Sequence, residues 1–214
     1  MTPIDFYFDP ISPYAYLAFE RLPQALEGCS YVVNHRPILF AGLLKQWGQK
    51  GPAEIGPKRD WTMRQVAWIA HRHGITLQLP AVHPFNPLAL LRLLVASAPA
   101  GALPNRLAVE TVFRHVWHGG ADPNEPARLQ SLAQALAPVQ DPESDAVKQA
   151  LRSATDDAIA RGVFGVPTIA VEGRLFWGVD SLEMVAACLK GDAWFEARRW
   201  KTLAMATPGV QRKP

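Results

Sequence analysis

The sequence predicts an α/β fold, one sheet domain carrying a large all-helical insertion. Three observations lead there. The chain opens as strand, tight turn, helix, strand; it closes as strand, strand, helix; and only helical periodicity appears between about residues 42 and 163. Strands at both ends of such a chain need a common layer in which to bury their apolar faces, so they belong to one sheet.

Ile4-Asp5-Phe6-Tyr7-Phe8 alternates Ile, Phe and Phe with Asp and Tyr, the period of a strand. Asp9-Pro10-Ile11-Ser12-Pro13 breaks it, and Pro13 suits a first helical position, where its missing N–H is no loss. Ala15, Ala18, Phe19, Leu22 and Leu26 then follow helical spacing. Pro23 inside that pattern predicts a kink or an early end. Tyr31 to Ile38 reads as a second strand.

Five helical segments follow. Trp61, Gln65, Trp68, Ile69 and Arg72 share a stripe stopped by Gly74; Leu88 to Val95 is a second segment. Val109, Val112, Phe113, Val116 and Trp117 mark a third, and Leu129, Leu132, Ala133 and Leu136 a fourth. Val147, Ala150, Leu151, Ala154 and Ala158 mark the fifth, ending near Gly162, and proline-rich connectors separate the segments. Thr168 to Val171 and Arg174 to Trp177, joined by Glu172-Gly173, read as a hairpin. Asp180-Ser181-Leu182-Glu183 then reads as a helix start, with Asp180 as N-cap and Glu183 completing a capping box.

Composition narrows the function. At 214 residues, 49% hydrophobic and 19% charged, the chain can bury a sizeable core and is not disordered. Its 22 Lys+Arg against 19 Asp+Glu leave +3, spread along the chain, which is no nucleic-acid footprint and does not repel small anions. The seven tryptophans are expected in the core and cleft walls rather than in a base-stacking platform. Cys29 and Cys188 form no C-x-x-C pair and no metal-type cluster. His115 and His118, at i and i+3, have no Cys or carboxylate constellation beside them, so no metal site is expected. His71 and His73 read as the solvated end of a helix, and Glu196, Arg198, Arg199 and Lys201 as a solvated terminal face. The N-terminus lacks a basic region followed by an apolar stretch, and Leu88 to Leu103 is too short and interrupted to span a bilayer. The expectation is a soluble, cytoplasmic protein that binds neither membrane nor nucleic acid.

Two segments carry chemistry. Ser12-Pro13-Tyr14-Ala15 stands where a strand passes into a helix, facing unpaired N–H groups and the positive end of the helix dipole. Alone, Ser12 reads as an N-cap. Gly165-Val166-Pro167-Thr168 opens the closing hairpin, with a proline where a strand tolerates one.

The opening strand ending in Ser-Pro-Tyr, the helical middle, the run Gly162 to Thr168 and Phe176-Trp177-Gly178-Val179-Asp180 together resemble the 2-hydroxychromene-2-carboxylate isomerase family. That family is grouped with kappa-class glutathione transferases and with disulfide oxidoreductases carrying a helical insertion in a thioredoxin fold. The resemblance covers nearly the whole chain. It implies a thioredoxin-like domain at 1–41 and 163–205 and a helical insertion domain at 42–162. Where the oxidoreductases have Cys-x-x-Cys, this chain has Ser12-Pro13-Tyr14-Ala15, so dithiol exchange at this turn is chemically excluded.

The resemblance further implies glutathione as cofactor and Ser12 as the catalytic group, donating a charge-assisted hydrogen bond to the glutathione sulfur. Val166–Pro167 would be cis, and the Val166 backbone would pair with the cysteinyl part. Trp177, Gly178, Val179 and Asp180 would hold the γ-glutamyl end, Asp180 facing its ammonium or serving as the helix cap. The second substrate would be a small aromatic carboxylate in a cleft between the two parts. Lys45 is either its cation or an ordinary surface lysine; Asn86 either reaches the cleft or caps a helix with Pro87 at the first helical position; His83 is placed by proximity alone. Lys58 and Arg59 belong to a helix start. Where a family member has an Asn-Arg pair, this chain reads Ala53-Glu54-Ile55-Gly56, which bears on substrate identity. A homodimer is implied as well. The implied activity interconverts 2-hydroxychromene-2-carboxylate and trans-o-hydroxybenzylidenepyruvate. The alternatives are a kappa-like transferase conjugating electrophiles and a non-catalytic thiol- or peptide-binding module.

Overall fold

A computed structural model describes residues 1–195 and Trp200; the terminal face expected at Glu196, Arg198, Arg199 and Lys201 lies outside the described residues. Strands β1 (Thr2–Phe8), β2 (Tyr31–Pro37), β3 (Thr168–Val171) and β4 (Arg174–Trp177) form one sheet in the order β2-β1-β3-β4. β1 and β2 are parallel, and the other pairs are antiparallel. Helix α1 (Pro13–Ala25) connects the parallel pair. Six helices intervene before β3: α2 (Phe40–Trp47), α3 (Gly56–Arg72), α4 (Leu88–Ala96), α5 (Arg106–Trp117), α6 (Pro126–Leu136) and α7 (Asp145–Ala160). α8 (Leu182–Leu189) follows β4. The expected division at 41/42 falls inside α2.

The sheet is covered on both faces. Ile4, Phe6 and Phe8 are fully buried on one side, with Ala15, Phe19, Val112 and Phe113 in the same apolar cluster. Tyr7, on the face that alternation assigned to polar residues, is also buried, in a second cluster with Ile38, Leu43, Ala158, Val163 and Val166. Alternation shows only when one face meets water; a central strand under two layers hides it. Asp5 lies at the margin, 2.7 Å from Arg36 Nε and 3.4 Å from Arg161 Nη1.

Several expectations are corrected. Pro23 does not end α1, which runs on to Ala25, and Leu26 N–H closes the helix on Leu22 O at 3.0 Å. The α3 stripe named from its tryptophans is not the packing face. Thr62, Val66 and Ala70 are buried instead, while Trp61 and Trp68 are 62% and 61% exposed. Small side chains let α3 lie close to α1, and the large rings take the outside. Among the tryptophans, Trp117 is wholly buried, whereas Trp47 and Trp177 are also largely exposed. The capping box at Asp180 does not form. A 3-10 turn, Val179–Ser181, precedes α8, and the Ser181 hydroxyl turns back to Gly178 O at 2.7 Å, leaving Asp180 exposed.

Candidate active site

The turn between β1 and α1 is held from all sides. Asp9 is fully buried, and its carboxylate accepts the Ile11 N–H at 3.0 Å and the Phe40 N–H, at the start of α2, at 2.9 Å. Its carbonyl accepts the Ser12 N–H at 3.0 Å. The Trp117 indole N–H donates to Pro10 O at 3.1 Å. His83 Nε2 lies 2.9 Å from Ile11 O; a carbonyl only accepts, so this nitrogen carries the proton. Buried backbone polar groups must find partners, and α5 and the 83–85 segment supply them here.

Ser12 is 8% exposed. Its Oγ accepts the Ala15 N–H at 3.2 Å, the N-cap bond expected from sequence, and donates to Val166 O at 3.3 Å. Burial raises the Asp9 carboxyl to about 7, against the pull of its two amide donors. Burial also lowers the His83 imidazole, with its carbonyl partner opposing. Asp9 and Trp117 are site residues that sequence reasoning missed as such. The cue for Asp9 is its place two residues before Ile11, the spacing of an Asx turn; nothing local pairs Trp117 with Pro10.

The opposite wall runs from Phe164 to Asp180. The Val166–Pro167 bond is cis, as the resemblance implies, and so is His83–Pro84, which was not expected. Among the described residues, the Val166 N–H has no hydrogen-bond partner. Pro167 O accepts the Gly178 N–H at 2.9 Å, and Thr168 Oγ1 donates to Gly165 O at 2.7 Å. Gly165 lets the Trp177 indole lie on the backbone: a Cβ there would fall 2.5 Å from Trp177 Nε1. Gly178, at φ 93°, turns the chain from β4 into the 3-10 turn, so that Val179 is buried and Asp180 faces out. Tyr14 joins this wall to α3, its hydroxyl donating to Gln65 Oε1 at 2.6 Å. Burial raises the Tyr14 phenol, and the Asp180 charge adds to the rise.

The residues expected around a second substrate are less organised. Lys45 is exposed on α2, whose end is tied to this wall by Trp47 Nε1 donating to Val163 O at 3.0 Å. Asn86 is exposed and its Oδ1 accepts the Leu88 N–H at 3.1 Å; Pro87 holds the cap position of α4, one residue later than expected. Glu54, in the departing segment, is spent on the Gly51 N–H at 2.6 Å. A groove of about 450 Å³ lies between α3 and residues 79–83, lined by Arg59, Met63, Arg64, Leu79 and His83. His118 Nε2 is 2.7 Å from the Tyr16 hydroxyl and His115 Nε2 is 2.8 Å from Pro123 O, so each has a partner within the fold. Cys29 lies beyond the far end of α1, where its thiol faces Ala186 O at 3.9 Å, about 20 Å of helix away from the turn. Among the described residues, no helix is long and apolar enough to cross a membrane.

A thioredoxin-type cleft, with a hydroxyl where the thiol would stand and a cis-proline loop opposite it, agrees with the comparisons. The family model for a DsbA-like thioredoxin domain matches residues 3–190. The chain belongs to that family. Within it, the chain is 31% identical to a 2-hydroxychromene-2-carboxylate isomerase of Sphingobium xenophagum, over 87% of this chain and 97% of that one. A glutathione S-transferase kappa 2 of Caenorhabditis elegans is 29% identical over 86% and 89%. A solved 2-hydroxychromene-2-carboxylate isomerase superposes with a TM-score of 0.76 at 24% identity, covering 96% of this chain and all of the other, which supports the fold. The chain is therefore a thioredoxin-fold member of a glutathione-related isomerase and transferase group.

Proposed function

We propose that the protein is a glutathione-dependent isomerase interconverting 2-hydroxychromene-2-carboxylate and trans-o-hydroxybenzylidenepyruvate. The observation that carries this reading is the Ser12 hydroxyl, which caps α1 and faces Val166 in a turn with no cysteine. A reacting thiol must then come from outside the chain. The residues fit a peptide-like thiol: a Val166 N–H without a partner among the described residues, beside the cis proline, a hydroxyl at the inner end, and an exposed carboxylate, Asp180, at the outer end.

When bound, glutathione supplies a thiol able to add reversibly to a conjugated C=C bond, so that rotation about the resulting single bond and elimination change its geometry with no net redox change. Ser12 Oγ would donate to the sulfur, while the α1 N-terminus favours negative charge there. The Val166 backbone and Pro167 would align the cysteinyl part; Trp177, Gly178 and Val179 would hold the γ-glutamyl end, with Asp180 taking its ammonium. On the other side, Lys45 would meet the substrate carboxylate, with Asn86 and His83 near it. A cytoplasmic homodimer, divided at 1–41 with 163–205 and at 42–162, belongs to the same reading.

The kappa relative favours a second reading, in which glutathione is conjugated to an electrophile and consumed. Following the chromene by ultraviolet absorbance with substoichiometric glutathione tests both. Many turnovers per glutathione, slowed in Ser12→Ala, are expected. Consumption one for one supports the transferase, and glutathione binding without turnover supports a non-catalytic module.

A further inference from the structure

Asp9 is a fully buried carboxylate to which the reading above gives no part. Its two oxygens serve two elements, one taking the Ile11 N–H in the serine turn and the other the Phe40 N–H at the start of α2, while its carbonyl takes the Ser12 N–H. Burial and the two amides act on its ionisation, and neither a cation nor a second carboxylate does. The groups on neighbouring elements are already engaged. His83 stands on Ile11 O with burial favouring its neutral form, the Trp117 indole is on Pro10 O, and the Thr155 hydroxyl of α7 accepts the Leu39 N–H at 3.0 Å.

We infer that Asp9 is a positioning residue for Ser12: by dividing its carboxylate between the Ile11 and Phe40 amides, it locks the serine turn to α2 and sets where the hydroxyl stands. The inference rests on the reading of Ser12 given above. A carboxyl group carries an acceptor lone pair on each of its oxygens, which two converging N–H donors require. An amide in its place keeps one acceptor and turns an NH2 group toward the other donor. Asp9→Asn therefore frees one end of the clamp while keeping the size of the side chain. Since Asp9 is buried, the substitution removes no ligand contact; it loosens the aim of Ser12 Oγ.

The test measures kcat, KM and glutathione affinity for wild type, Asp9→Asn, Ser12→Ala and the double variant, with thermal melts to verify folding. Losing one such hydrogen bond predicts a kcat about tenfold lower in Asp9→Asn, with glutathione affinity changed less than about twofold. In the Ser12→Ala background, the same change should add less than about twofold, because the group it aims is gone. A wild-type rate in Asp9→Asn, or a full tenfold loss retained in the double variant, overturns the inference alone. A Ser12→Ala enzyme as fast as wild type overturns the functional reading and the inference with it. A second pair decides the matter if Asp9→Asn does not fold. Phe40→Pro deletes the N–H at the first position of α2, where proline is tolerated, and Phe40→Ala controls for the lost ring. Phe40→Pro should be several-fold slower than Phe40→Ala, and equal rates refute the clamp.

Discussion

The serine turn and the outer face of α3 meet at the Tyr14–Gln65 hydrogen bond, yet they are built by opposite rules. In the turn, side chains of Asp9, α5 and the 83–85 segment fix the backbone polar groups, and the Ser12 hydroxyl is nearly enclosed. On α3, Trp61, Arg64, Gln65 and Trp68 stand in the open. The difference teaches where variation is cheap. Geometry set by buried backbone contacts changes only at the expense of the fold, whereas a face of exposed side chains can change without disturbing the turn.

Substitutions can break this contrast, and the largest effect concerns Asp9. Its folded carboxyl titrates at about 7 against an ordinary 3.8, so the native state binds the extra proton, and stability is fully present below about 4 and lost as pH rises through about 7. At 1.36 kcal/mol per pKa unit, this amounts to about 4 kcal/mol across that range. Urea melts of wild type and Asp9→Asn at several pH values should diverge in the variant's favour as pH rises; parallel curves would contradict the burial argument.

Next comes Trp117→Phe, which leaves Pro10 O unpaired and opens a void in the core. It should cost about 3 kcal/mol and lower Tm by roughly 6–12 °C. On the proposed function, Ser12→Ala removes the hydrogen bond offered to the glutathione sulfur and should slow turnover by roughly 10–100-fold with Tm within a few degrees of wild type, measured by single-turnover kinetics. Lys45→Ala, on the open side of the cleft, should raise KM about fivefold with little change in kcat. Smallest of all, Trp61→Ser and Trp68→Ser should change unfolding free energy by under about 0.5 kcal/mol. A loss above about 2 kcal/mol in either would mean that this face of α3 is covered in solution.

Much of the fold was legible because its signals are local. The Ile4 to Phe8 alternation, the Pro13 start of α1, the stripe from Val109 to Trp117 and the Glu172-Gly173 turn each rest on residues within one element. Ser12 as an N-cap was equally legible. The face that α3 buries was not, because hydrophobicity points at its tryptophans while close approach to α1 selects Thr62, Val66 and Ala70. Asp180 as a cap failed for a similar reason: the 3-10 turn after Gly178 shifts the start of α8 by one residue, and no local pattern announces it.

The sequence by itself therefore determined the order of elements, the absence of paired thiols from the turn, and the position of a hydroxyl at a helix N-terminus. These follow from spacing and residue chemistry within a few positions. Only the tertiary structure decided what surrounds that hydroxyl. Val166 approaches it from 154 positions away, and Asp9 reaches α2 across 31. Trp117 comes from α5 and His83 from the segment before α4 to close on Pro10 and Ile11. The physical reason is that a buried backbone group demands a partner without specifying where in the chain it comes from; packing makes that choice.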